Sequence, residues 1–172
     1  MSENHQLLSL VNGHWSLMNH VITIRPAHLD DAESIHKLQL RSVGTLCSAA
    51  YSDEHMKAWL TNRSPRMYVF GLEGGGMYIA ECEGKPVGFG HAENGEIQAI
   101  FVDPDWVRRS VGKQLLEHGI EMVSSDGREV FLKATLNAVG FYESHGFVRK
   151  GPGSFDCNVV DIPAVRMTRQ LH

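Results

Sequence analysis

Between Val102 and Leu116 the chain reads VDPDWVRRSVGKQLL, a stretch whose residue types suit an anion. An apolar, β-type run ends at Asp103-Pro104, arginines follow at 108 and 109, and a helix is expected from Ser110. The first N–H groups of a helix have no partners within it, and the helix dipole adds partial positive charge there. Gly112 lets a ligand approach the backbone, while Arg108 and Arg109 supply charge. This is the chemistry of a phosphate cradle. A P-loop would need G-x-x-x-x-G-K-[ST], but Val107 stands at its first glycine and Gln114 at its hydroxyl residue. A dinucleotide fold would need G-x-G-x-x-G after the first strand, where this chain has RPAHLDD.

A second chemically loaded stretch, LNAVGFYESHGF, carries the phenol of Tyr142. The ordered set VDPDWVRRSVGKQLL, EVFLKA and LNAVGFYESHGF resembles the GNAT N-acetyltransferases. That family shows strand–V-x-P–[QR]-x-x-G-x-[GA]–helix, then a strand, then N-A-x-x-F-Y-E-x-x-G-F. The opening IRPAHLDDAESI is similar to the family's first strand and helix, so the likeness covers Ile22 to Leu171. Two positions depart from it. Val107 stands at the [QR] position and Ser110 at the first glycine of the loop. A serine there must either accept a left-handed backbone at a cost or cap the helix with its hydroxyl.

The resemblance implies an N-acetyltransferase that moves an acetyl group from acetyl-CoA, as cosubstrate, to a primary amine of a small molecule or peptide in a ternary complex. The alternative is a catalytically weak or inert acetyl-CoA-binding sensor. It further implies coenzyme A contacts from Arg108, Arg109, Ser110, Val111, Gly112 and Lys113, and from Asn137 and Phe141. A backbone N–H within Ile100, Phe101 and Val102 would polarise the thioester carbonyl. Tyr142 matches the general acid that returns a proton to the leaving thiolate. Glu96 resembles the glutamate base of one branch of the family, and a solvated residue beside a turn is an equal reading. His91 is a fallback base by its chemistry, set against the reading of a hydrogen-bonded structural histidine, and Asn137 could equally be a helix N-cap. The acceptor would meet Tyr51, Trp59 and residues 42–50. Asp53 and Glu54 could attract an amine or simply stabilise a helix start.

These groups need a scaffold. VITIRP alternates as a strand, and Ala32, Ile35 and Leu38 then mark one helical face, with Gln39 and Arg41 pointing elsewhere. Ser52 opens a second helix that ends near Leu60. RMYVFGLEGGG reads equally as strand or short helix. MYIAEC, VGFGHAE and EIQAIFV, separated by EGKP and Asn94-Gly95, form an antiparallel meander. The helix after Ser110 buries Leu116, Gly119, Ile120 and Val123. Strand EVFLKA, a short helix around Tyr142, strand FVRK, a turn-rich GPGSFD and a last strand near AVRMTRQL complete the chain. The expected class is α/β of the α+β kind, a mixed, mostly antiparallel twisted sheet flanked by about four helices in the order β-α-α-βββ-α-β-α-β-β. Residues 1–20 read as an N-terminal arm with Asn12-Gly13 as a hairpin turn, which either folds back on the domain or docks on a second copy to bury Trp15, or else frays, and 21–172 read as the GNAT-like domain.

At 172 residues and a net charge of −4, the chain is expected to be one soluble domain without nucleic-acid or membrane partners. Three separated cysteines form no metal spacing, and neither a signal peptide nor a membrane-length run is visible, so a cytoplasmic protein without a metal is expected. A second copy of the chain is a candidate partner through the arm.

Overall fold

In a computed structural model the described residues are 8–11, 14–17, 20–61, 63–124, 129–157 and 160–171, with backbone alone for the first two segments. Strands β1 (Leu8–Val11) and β2 (His14–Leu17) pair antiparallel in a sheet of their own. Val11 lies opposite His14, which leaves two residues between the strands, the spacing expected of a hairpin. The turn residues Asn12-Gly13 and the side chain of Trp15 lie outside what is described.

The alternating VITIRP forms β3 (Ile22–Pro26). A 3-10 turn at Leu29–Asp31 leads into α1 (Ala32–Ser42), which continues as a π-helical turn over Val43–Cys47. Ser52 caps α2 (Asp53–Leu60), its Oγ accepting from the His55 N–H at 3.2 Å. The ambiguous RMYVFGLEGGG resolves as a 3-10 turn at Pro65–Tyr68 and the short α3 (Val69–Glu73). The meander follows as β4 (Met77–Cys82), β5 (Lys85–Glu93) and β6 (Glu96–Val102). Then come α4 (Val111–Val123), β7 (Glu129–Thr135), α5 (Val139–Ser144), β8 (Val148–Asp156) and β9 (Asp161–Gln170). The seven-stranded sheet has the order β3-β4-β5-β6-β7-β9-β8, antiparallel at every junction except β6–β7.

Three readings of the sequence need correction. Gln39 does not point away from the core: it is buried, and its Oε1 accepts from the Tyr68 hydroxyl at 2.8 Å. Helix α1 is flanked both by the sheet and by the Pro65–Tyr68 turn, so its buried stripe is wider than a spacing of three suggests. GPGSFD is not a turn region but the second half of β8. A register shift between Arg149 and Gly151, where Gly151 takes φ 142°, lets the strand continue. Ile120 is only half-buried, while Val111 and Leu115 complete the inner face of α4.

The core lies on both faces of the sheet. Helix α4 packs Val111, Leu115 and Leu116 against one face, and α1 packs Ile35 and Leu38 against the other. Tyr78 crosses the first layer almost fully buried, its hydroxyl donating to the Leu115 carbonyl at 3.0 Å. Space for its ring exists because residues 90 and 119 are glycines: a Cβ at Gly90 would stand 2.3 Å from Tyr78 Cζ. At the edge, Arg25 bridges Asp31 at 2.8 Å and Glu81 at 2.7 Å, joining β3, the start of α1 and β4. Gly90→Ala should therefore lower stability by about 1–3 kcal/mol through overpacking against Tyr78, measured by urea denaturation. An unchanged midpoint would mean that the ring is free to move.

Candidate active site

The site begins with a miscount between two strands. Ala92 pairs with Ile97, but His91 pairs with Ala99, so Gln98 is an extra residue in β6. Such a bulge bends its strand and ends regular pairing beside it. On the other side β6 pairs with β7 only at Glu96–Phe131 and Ile97–Leu132, while β7 runs on to Thr135 against β9. The two parallel neighbours diverge, and a cavity of about 650 Å³ occupies the opening. The Asp103 N–H donates to the Val87 carbonyl at 2.9 Å, so in an antiparallel ladder Phe101 and Ala99 also face β5. The alternation leaves the N–H groups of Ile100 and Val102 facing the opening.

One end of the cavity reaches the start of α4. Ser110 takes φ 62° and ψ 8°, a left-handed conformation that glycine adopts more cheaply, and its hydroxyl caps nothing. The capping alternative for Ser110 is thereby excluded, and Arg108 shares the strain at φ 61°. The first intrahelical bond runs from the Gln114 N–H to the Ser110 carbonyl, so Val111, Gly112 and Lys113 carry N–H groups outside the ladder. A Cβ on Gly112 would meet only Phe141 at 3.5 Å and Val102 at 3.7 Å, ordinary contacts at the cavity wall. The glycine keeps that wall open rather than relieving a clash within the protein.

Of the residues singled out by sequence, Ile100, Phe101, Val102, Arg108, Ser110, Gly112, Lys113, Asn137, Phe141 and Tyr142 line this one cavity. Val111 is not part of the wall: its side chain is buried in the core. Arg109 lies over the Trp106 ring, 5.0 Å from its centroid, and is not part of the wall. Glu96 is not part of it either, standing at the opposite end of β6 from Val102. Asn137 is no N-cap: α5 begins after Ala138. Its side chain instead lies beside the Cys47 thiol, whose pKa burial pushes up to about 11 and the Asn137 contact slightly offsets. That thiol stays protonated at neutral pH.

Tyr142 packs edge-on to Phe141 and Phe147, at centroid distances of 5.1 and 5.8 Å. Burial raises its phenol well above the usual tyrosine range, so it is a proton donor at any physiological pH. His91 also faces the cavity. Burial lowers its pKa below the ordinary 6.5, opposed by Glu93 and Glu96. Its Nε2 has no hydrogen-bond partner, with the nearest carboxylate oxygen, on Glu93, 3.5 Å away. That nitrogen is buried against Gly76 rather than open to the cavity. Tyr51, by contrast, is structural: it donates to the Pro163 carbonyl at 2.7 Å and accepts from the Leu136 N–H at 2.9 Å. Sequence reasoning missed Gln39, Arg63, Tyr68, Lys133 and Phe155, which also line the cavity. No motif marks them; only the folding of distant segments onto the splayed strands collects them. Among the described residues no group of three or more His, Cys, Asp or Glu could hold a metal ion, and no helix is long and apolar enough to cross a membrane.

A family model described as an acetyltransferase (GNAT) domain matches residues 47–171. The uncharacterized N-acetyltransferase YafP of Escherichia coli is 29% identical over 126 residues, 73% of this chain and 81% of that protein. Among solved structures, a GCN5-related N-acetyltransferase from Rhodopseudomonas palustris superposes with a TM-score of 0.83 at 26% identity, covering 90% of this chain and 99% of that one. The PaiA N-acetyltransferase of Thermoplasma acidophilum, solved in complex with coenzyme A, shares the fold at a TM-score of 0.68 and 20% identity, over 88% of this chain and 99% of that one.

The strain at Ser110 makes its own prediction. Ser110→Gly should leave stability unchanged or raise it by up to about 1 kcal/mol, because relief of strain is partly cancelled by unfolded-state entropy. Ser110→Val, which is β-branched, should lower it by about 1–2 kcal/mol. Equal urea midpoints for the two variants would contradict the left-handed assignment.

Proposed function

The chain belongs to the GNAT acetyltransferase family, and from that membership we propose that it transfers an acetyl group from acetyl-CoA to a primary amine of a small molecule or peptide. The observation that carries this reading is the cavity at the β6–β7 divergence, which unites free strand amides, the open start of α4 and Tyr142. The fit to coenzyme A is good on this structure's own terms. Helix N–H groups, the open wall at Gly112, Arg108 and Lys113 suit a pyrophosphate. Ile100 and Val102 offer unpaired N–H groups to an extended amide chain and to a thioester oxygen.

Acetyl-CoA supplies an activated thioester; the protein supplies position and proton traffic. The amine nitrogen forms a bond to the acetyl carbon as the carbon–sulfur bond breaks. Tyr142 donates its phenolic proton to the departing sulfur. The burial that makes this phenol a weaker acid also makes an unsolvated thiolate a stronger base, so the match between them is retained. The proton leaving the amine goes to the His91 imidazole, whose ring is part of the cavity wall while its Nε2 is buried beside Gly76, 3.5 Å from Glu93 Oε2. Glu96, outside the wall, acts on His91 by its charge.

Three measurements test this reading. Acetyl-CoA should raise the melting temperature while equal ATP and NAD do not, since a ligand that binds only the native state stabilises it by mass action. A shift with ATP alone would overturn it. Tyr142→Phe keeps the ring and should lower kcat about a hundredfold or more with acetyl-CoA binding retained. As pH falls through the depressed pKa of His91 the acceptor nitrogen is protonated, so kcat/KM should decline on an acid limb below 6.5. By the same linkage the folded state binds fewer protons than the unfolded one, and stability present above 6.5 is lost as pH falls through that folded pKa. His91→Gln should remove the limb and cost more turnover than Glu96→Gln. The reverse order would move the role to Glu96.

A further inference from the structure

The end of the cavity away from α4 holds charge of one sign. Its wall includes Arg63 and Lys133, yet no aspartate or glutamate among the described residues. That is an unfriendly surface for a polyamine or any amine flanked by further positive charge. Neither cation pairs with a carboxylate there; the ion pairs among the described residues use Arg25, Lys37, Arg41, His91, Lys113 and Arg149 instead.

Both cations are nevertheless held in place by main-chain carbonyls. The Arg63 Nε donates to the Trp59 carbonyl, and Lys133 Nζ donates to the Ser154 carbonyl at 3.0 Å. Between them lies an aromatic pair: Trp59 stacks on Phe155 with ring centroids 5.8 Å apart, and Lys133 Nζ lies 5.4 Å from the Phe155 centroid. Arg63 also reaches toward the Tyr68 phenol, lowering a pKa that burial otherwise raises. Carbonyl bonds orient these cations without neutralising them. A carboxylate partner would have cancelled the field; these partners leave it pointing into the cavity.

We propose that Arg63 and Lys133 form an anion clamp, and that the acceptor is an amine carrying its own carboxylate, phosphonate or phosphate on an apolar body. The inference rests on the acetyltransferase reading for the identity of the amine, but the clamp itself is a binding property. The Trp59–Phe155 stack takes the apolar body, and the clamp takes the anion. Such an acceptor arrives with its amine beside a pre-placed counter-charge, so a neutral analogue leaves two oriented cations unanswered.

The test uses matched pairs: phenylalanine against phenethylamine, an aminoalkylphosphonate against the corresponding alkylamine, and a neutral-flanked lysine peptide as the rival class. Calorimetric titration onto CoA-saturated protein reads binding, and thiol release from acetyl-CoA reads turnover. The anionic member of at least one pair should bind and react about tenfold better than its neutral partner. The carboxylate and phosphonate arms identify which anion is preferred. In Arg63→Ala and Lys133→Gln that preference should shrink about tenfold, chiefly through KM, and Arg63→Lys should restore part of it. Lys133 is exposed, so its variant folds even if Arg63→Ala does not. Equal or better binding of the neutral amines or the lysine peptide, or a preference unchanged in both variants, overturns the clamp. Selective binding without turnover would retain the clamp and defeat the transferase reading instead.

Discussion

Where Gln98 is inserted into β6, the strand keeps its ladder with β5 on one side and loses β7 on the other. A continuous sheet would have satisfied the amides of Ile100 and Val102 with strand partners and filled the space with paired backbone. The bulge makes that impossible, because one extra residue reverses which side each following amide faces. Everything chemical in the molecule then follows the opening. The loop after β6 carries the open helix start, and Arg41 fastens that loop to α1 through Asp103 and Asp105 at 3.1 Å each. Helix α5 delivers Tyr142 to the wall from the other bank.

An opening in the middle of a sheet costs packing, and close contacts stand on both faces of the strands beside it. Tyr78, Gly90 and Gly119 interlock under α4, while Phe89 stacks on Phe101 with ring centroids 5.5 Å apart on the opposite face. These layers pack β5 and β6 from both sides where β7 departs. The strained Ser110 belongs to the same economy. A left-handed residue costs on the order of 1–3 kcal/mol and persists where the surroundings over-determine it. Here it turns the chain sharply enough for α4 to aim its first N–H groups into the cavity.

The two banks of the cavity differ in how visible they were. The bank made by the loop after β6, α4 and α5 is written in contiguous residues, because a helix start and a short helix impose local spacing. Its residues could be named from sequence, down to the two positions that depart from the family pattern. The opposite bank had no such grammar. Arg63 lies beyond the second helix where no motif marks it, Phe155 lies in an apparent turn region that is in fact strand, and Lys133 lies in a strand where nothing local singles it out. Gln39 looks outward-facing by local spacing alone because its partner Tyr68 lies in a segment whose local pattern fits strand and helix equally.

Local pattern, then, determined the element order and the mostly antiparallel sheet and marked out the loop before α4 and the stretch around Tyr142, since strand alternation, helix starts and a contiguous motif depend on neighbours in the chain. Only the tertiary structure decided that β6 and β7 part after Ile97 and Leu132, that Ser110 is left-handed rather than a cap, and that Glu96 stands outside the wall while His91 faces it. Those outcomes depend on register and on pairing between residues far apart in sequence. A single inserted residue changes which way every later group points, and no local spacing records it.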